Sequence, residues 1–290
     1  MSNKNPLSAY YRAPKLYTPI PSRGKFYDET VVDMPESGEL PVFPMTAKDE
    51  MALKNPDALL NGEAVAQVIQ SCVPAVKNAR QMMSSDVDVL LVAIQGATYG
   101  DDVDVTATCP KCNEEVTGVA SVEVAIGSME VLEDSYSIEH NGLHIEIRPF
   151  TYESTISAGI TNFKSTRSLQ SIADVTDDLE RLHLFNDNFK QIAELNFKLI
   201  VDSIASITIT DEEGEPQIVA DRTHIEEFLN NVESSVGNAI EAKIKTINSI
   251  GINHSTKLQC STEGCVDEDG NPTVFDGNVN FDPVTFFTAS

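Results

Sequence analysis

The sequence contains no apolar run long enough to cross a bilayer and no signal-peptide pattern at its N-terminus. A soluble protein made in a reducing cytoplasm, with no membrane partner, is the expectation. It also lacks a His-Glu-x-x-His pair, a Gly-x-Ser-x-Gly elbow and a phosphate-cradling glycine loop. Ser22-Arg23-Gly24-Lys25 sets basic residues beside a glycine, without the full loop signature or a preceding strand. The five histidines (His140, His144, His183, His224 and His254) are scattered, and only His140 and His144 have a metal-like spacing. They read as an exposed polar pair. The carboxylates fall in solvated runs, not as a pair set among apolar residues as glycoside hydrolysis needs. These absences argue against catalysis and for a binding or structural protein.

Positive charge is scarce as well. Twenty Lys and Arg face 45 Asp and Glu, a net charge of −25. A surface this acidic repels a phosphate backbone, so no nucleic-acid partner is expected. The scarcity is uneven. Residues 1–27 hold Lys4, Arg12, Lys15, Arg23 and Lys25 and no acid, a charge of +5, which leaves −30 on residues 28–290. Tyr10, Tyr11, Tyr17 and Tyr27 share that stretch with Pro6, Pro14, Pro19 and Pro21. The prolines bar a regular helix, and so short a segment builds no core alone. Residues 1–27 therefore read as an extended basic, aromatic arm that docks on an acidic surface. That surface is its own body, a neighbouring copy or a different subunit, and Tyr10, Tyr11, Arg12 and Lys15 are the candidate contacts.

Cysteine is sparse too, yet four of the five come in close pairs, Cys109-Pro110-Lys111-Cys112 and Cys260 with Cys265. Each pair bounds a short knuckle that can wrap backbone amides around a metal, and Asn113 and Gly264 tolerate the left-handed conformation such loops use. Cys109, Cys112, Cys260 and Cys265 would together supply the four soft ligands of a closed, structural Zn2+ site. Two disulfides, a redox pair and unligated thiols remain alternatives. Cys-x2-Cys closes too small a ring for a comfortable bridge, and Cys109 follows an alternating strand instead of opening a helix. The long separation of the pairs would make the metal a staple between distant parts of the chain. Cys72, in a helical apolar pattern, reads as an inert buried thiol.

Periodicity gives an α+β protein: a mainly helical body with a small zinc-ribbon-like β module split by a helical insertion. After the arm (1–27), residues 28–100 form a helical region. A short strand lies within Gly38–Met45, Thr46 with Asp49 nearly completes a capping box, Pro74 stops a helix along Ala64–Cys72, and another helix runs over Asp86–Ala97. Residues 101–150 form a β region with the first knuckle. Alternation runs from Val103 to Ala107 and from Val116 to Val124, and Asn141-Gly142 marks a type I′ hairpin between Tyr136–Ile138 and Leu143–Arg148. Residues 151–250 form the helical insertion, with helices capped at Thr151 and Asp221. Its longest helix is expected from Asp177 to about Ile207, with Leu182, Phe185, Phe189, Ile192, Leu195 and Leu199 at three-and-four spacing. An acidic turn at 211–216 separates two short strands, and Val236, Ile240, Ile244 and Ile247 mark a last helix. Residues 251–290 form a β region with the second knuckle and an apolar tail that includes Val284-Thr285-Phe286-Phe287.

Several ordered segments carry a resemblance. Pro21-Ser22-Arg23-Gly24-Lys25-Phe26-Tyr27, Pro44-Met45-Thr46-Ala47-Lys48-Asp49-Glu50 and Asn55-Pro56-Asp57-Ala58-Leu59-Leu60-Asn61-Gly62 open it. Ser71-Cys72-Val73-Pro74, Asp88–Leu91, Ala97-Thr98-Tyr99-Gly100 and Cys109-Pro110-Lys111-Cys112 continue it. Over roughly residues 20–115 the chain resembles the baseplate hub and hub-assembly proteins of T4-like contractile-tailed bacteriophages. The resemblance implies a non-enzymatic hub component, or an assembly factor acting on the hub, whose partners are other baseplate proteins or further copies of itself. It would be found in the host cytoplasm during assembly and, as a permanent component, in the virion tail baseplate, or be absent from the mature virion as a transient assembly factor. A cellular zinc-ribbon adaptor and a tip hydrolase are the competing readings. The first needs cationic patches outside the arm, and the second a carboxylate or histidine constellation the sequence does not supply.

Overall fold

Residues 5–172, 177–210, 215–253 and 255–278 are described from a computed structural model. The acidic turn at 211–214, His254, Lys4 and the apolar run Val284–Phe287 lie outside the described residues.

The N-terminal region is built on α4 (Ser84–Tyr99), which is buried on nearly every side and packs against α3 (Glu63–Cys72) and the arm, while α1 (Ala47–Leu53) and α2 (Pro56–Leu60) pack on α3. The capping box at Thr46 and Asp49 is complete, and Asn55 caps α2 through the amides of Asp57 and Ala58. The arm lies on its own body. After a 3-10 turn at Pro6–Tyr10, β1 (Leu16–Thr18) pairs antiparallel with β2 (Leu40–Val42), where prolines are tolerated because the two-stranded ribbon has open edges.

A half-buried arginine and a buried aspartate fasten it. The Arg12 guanidinium donates to Pro44 O at 2.6 Å, Ser71 O at 2.7 Å and Ser71 Oγ at 2.8 Å, and pairs with Asp49 at 3.3 Å. Asp86, in the first turn of α4, accepts from the Ser22 amide, the Ser22 hydroxyl and the Tyr27 hydroxyl, while Tyr27 Oη accepts from Met83 N–H at 2.6 Å.

Beyond α4 the chain forms the hairpin β3 (Asp102–Thr108) and β4 (Glu115–Ser121). The second hairpin, β9 (Ser255–Gln259) with β10 (Val274–Asn278), packs across it, and both belong to the same core as α4. Glycines permit this close approach. Side chains at Gly118 or Gly277 would collide with Leu258, which fills the space between the two ribbons. The alternation expected to Val124 stops at Ser121, whose hydroxyl accepts from the Val124 amide and starts α5 (Val122–Gly127).

The segment between the two hairpins has its own core. It begins and ends at one place, since Glu130 N–H donates to Gly251 O at 2.8 Å. The Asn141-Gly142 hairpin, β5 (Tyr136–His140) and β6 (Leu143–Ile147), has positive φ at both turn residues. These strands join β7 (Ile204–Thr210) and β8 (Pro216–Val219) in one four-stranded sheet, not the knuckle strands with which they neighbour in sequence. The segment is thus part sheet. The helix expected to reach about Ile207 is α7 (Asp178–Ser203), and the β-branched run from Ile204 becomes β7 because it pairs with β6. α6 (Tyr152–Ile172) lies against α7, and α8 (Arg222–Asn231) and α9 (Ser234–Asn248) cover the sheet. Thr151 and Asp221 cap α6 and α8 as expected, and Asp177 caps α7 through the amides of Leu179 and Glu180.

Burial pushes the Asp86 carboxyl up to about 6, although Ser22 and Tyr27 donate to it. Asp88 accepts no hydrogen bond among the described residues, and burial, then the charge of Asp86, pushes it up to about 7. Its folded pKa lies above the unfolded 3.8, so between about pH 4 and 7 the native chain holds a proton that the unfolded chain has released. Stability from this group falls as pH rises through that window. Asp88→Asn is expected to stabilise the protein by about 1–2 kcal/mol near pH 8 and to change little near pH 4, measured by thermal melts. Equal shifts at both pH values would contradict the assignment.

Candidate metal centre

The two hairpins deliver their knuckles to one point. Val103 and Val105 of β3 face the core while Asp104 and Thr106 face out, so the strand register fixes where Cys109 leaves the sheet. In the first knuckle, Cys109 N–H donates to Glu114 O and Asn113 N–H to Cys109 O, both at 2.9 Å, with Asn113 at φ +59°. In the second, Cys260 N–H donates to Thr273 O at 2.8 Å and Cys265 N–H to Thr262 O at 3.1 Å, with Gly264 at φ +81°. Lys111 Nζ reaches across to Val266 O and ties the loops together.

The four sulfurs meet. Cys109 Sγ is 3.8 Å from Cys265 Sγ, Cys112 Sγ is 3.6 Å from Cys260 Sγ, and all four lie within 4.8 Å of one another. No two are bonded as a disulfide. Four sulfurs set tetrahedrally around an ion at about 2.3 Å are separated by about 3.8 Å, so the spacing fits a metal directly. Cys109, Cys260 and Cys265 are buried and Cys112 half-buried.

The electrostatics of the loops also suit thiolates. Backbone N–H groups of Cys112 and then Lys111 lower the Cys109 thiol, and the Thr262 hydroxyl and amide bring Cys260 down to about 6. Thr273 acts to lower Cys265, but burial and the three neighbouring sulfurs push it up to about 11. Such opposed shifts arise where crowded thiols cannot all ionise without a cation between them. The four residues could hold one metal ion, and as a complete set of soft ligands they would leave it no open position for substrate.

The remaining candidates are placed elsewhere. Cys72 is buried in the helical region, where burial and then Asp49 push its thiol up to about 11, as befits an unreactive group. His140 and His144 sit on opposite strands of one hairpin, not along a single strand, and His144 Nδ1 pairs with Glu139 at 2.5 Å. Of the arm residues, Arg12 is fully engaged with its own body, while Tyr10, Tyr11 and Lys15 are exposed. Sequence reasoning missed Asp86, whose signal was an acid in the first turn of an otherwise apolar helix. It also missed Leu258, for which Gly118 within an alternating strand was the clue.

Among the described residues no helix is long and apolar enough to cross a membrane, and the cysteine cluster is the one group of candidate metal ligands. No curated protein and no solved structure matches the chain. A family model described as T4 bacteriophage base plate protein matches residues 27–281. That span reaches past the segments that carried the resemblance to take in the insertion and the second knuckle. The chain belongs to the T4 bacteriophage base plate protein family.

Proposed function

We propose that this base plate protein is a non-enzymatic structural or assembly subunit of the baseplate hub, held rigid by one Zn2+ on Cys109, Cys112, Cys260 and Cys265. The observation that carries the proposal is the convergence of four sulfurs from two pairs 148 residues apart, Cys112 to Cys260, both inside the family match. A cross-link closing the loop from Cys112 to Cys260 removes unfolded-chain entropy worth on the order of 5 kcal/mol. A chain without disulfides would gain from it a fixed frame on which other baseplate proteins assemble.

Purified protein is expected to contain one zinc per chain. Chelation and Cys260→Ser are each expected to lower the melting temperature, at a cost of about 3–5 kcal/mol. Zinc-free protein indifferent to chelator under reducing conditions would contradict the metal assignment. A mass-spectrometric inventory of purified virions distinguishes a permanent hub component, which is present, from an assembly factor, which is absent.

The arm supports a contact role. Its inner side is spent on Arg12 and β1, while Tyr10, Tyr11 and Lys15 face outward on a chain that is otherwise strongly acidic. Exposed aromatic and basic side chains of this kind suit docking on an acidic neighbour. Tyr10→Ala with Tyr11→Ala is expected to change stability by less than about 0.5 kcal/mol while lowering incorporation into baseplates. Arg12→Ala is expected to cost about 2 kcal/mol, because Asp49 and the carbonyls of Pro44 and Ser71 lose their donor. Normal incorporation of the tyrosine variant would remove the arm from the interface.

A further inference from the structure

The insertion carries an apolar surface that no described residue covers. α6 and α7 lie side by side with their register set by a polar pair. Ser165 Oγ donates to Asn188 Oδ1 at 2.5 Å, and Asn188 Nδ2 donates to Ser165 O at 3.1 Å. On the flank of α7, about 60–180° around the helix from Asn188, stand Leu179, Leu182, Phe185 and Phe189, which are 81%, 59%, 40% and 58% exposed. The rings of Phe185 and Phe189 stack at 5.3 Å between centroids. Farther along the same helix face, Asn196 and Ile200 line a groove of about 450 Å³ between α7 and α9. At 1.5 Å per residue the strip from Leu179 to Ile200 is about 32 Å long. Single exposed apolar residues need no explanation, but an apolar cluster of two leucines and two stacked phenylalanines on one helix face does.

Charge and area narrow the occupant. α6 and α7 together hold five Lys and Arg against six Asp and Glu, whereas the whole chain carries −25. Two acidic bodies repel, but much less through this near-neutral face. A strongly basic partner would be drawn to the rest of the body instead. A two-helix face about 30 Å long and about 20 Å wide offers on the order of 600 Å², close to the roughly 800 Å² that each partner gives to a standard interface.

We propose that this face of the α6–α7 hairpin docks a second copy of the chain. Two hairpins pack about a two-fold axis as a four-helix interface centred on Phe185 and Phe189. An isologous contact sets the strip against itself, so apolar surface meets apolar surface without needing opposite charge. The surface is separate from the arm and from the cysteine cluster, so it stands or falls independently of the metal and of hub incorporation.

Sedimentation equilibrium of the full chain over a concentration series tests it. Wild type is expected to dimerise, and Phe185→Glu with Phe189→Glu to weaken the dimer by about thirtyfold or more. Circular dichroism should be unchanged, and the wild type's melting temperature should rise with protein concentration while the variant's does not, because only the wild type gains stability from dimerisation. Leu179→Glu, at the most exposed position, should weaken it in the same direction, and Val124→Glu, exposed on α5, should not. A wild type that stays monomeric, or a dimer indifferent to all hairpin substitutions, would overturn the proposal. A monomeric wild type whose hairpin variants lose a different base plate protein would also overturn it and assign the face to that protein.

Discussion

Four sulfur atoms within 4.8 Å of one another cannot all carry charge unless a cation sits among them, and two β-ribbons from distant parts of the chain hold them in that arrangement. The knuckles reach this geometry because β3–β4 and β9–β10 pack across each other, and they pack because Gly118 and Gly277 leave room for Leu258. A cluster fixed by two ribbons is a joint between residues far apart in sequence. In the proposed metal-bound chain, that joint replaces the disulfides the protein does not have.

The joint would be of little use if the long segment between the ribbons pulled them apart. The Glu130–Gly251 hydrogen bond brings the two ends of that segment together, so its separate core hangs from one place. Phe150 O and Tyr152 N–H then tie it to Ser84 and Met82 at the start of α4. The same stretch of α4 holds Asp86, on which Ser22 and Tyr27 converge. Arm, helical region and insertion are therefore fastened near one helix terminus by buried polar contacts, which are costly to break once formed.

Local chemistry was legible in the sequence. Thr46, Thr151 and Asp221 cap as their side chains dictate, Asn141-Gly142 turns as expected, and Asn113 and Gly264 take the left-handed conformation the knuckles need. Partnership between elements was less legible. Nothing local distinguishes a β5–β6 hairpin that joins β7 from one that joins β4, because the choice is made by burial against α7, α8 and α9. Alternation through Val124 could not show that Ser121 would cap a helix. The three-and-four spacing of Leu182, Phe185 and Phe189 reads identically whether the face meets a core or a neighbour, and only the fold shows that it is exposed.

X-ray absorption at the zinc K-edge of the purified protein reads the proposed site itself. Four sulfur neighbours at about 2.3 Å, with no nitrogen or oxygen in the shell, are expected. A shell containing nitrogen or oxygen, or protein with no zinc to absorb, would contradict that expectation.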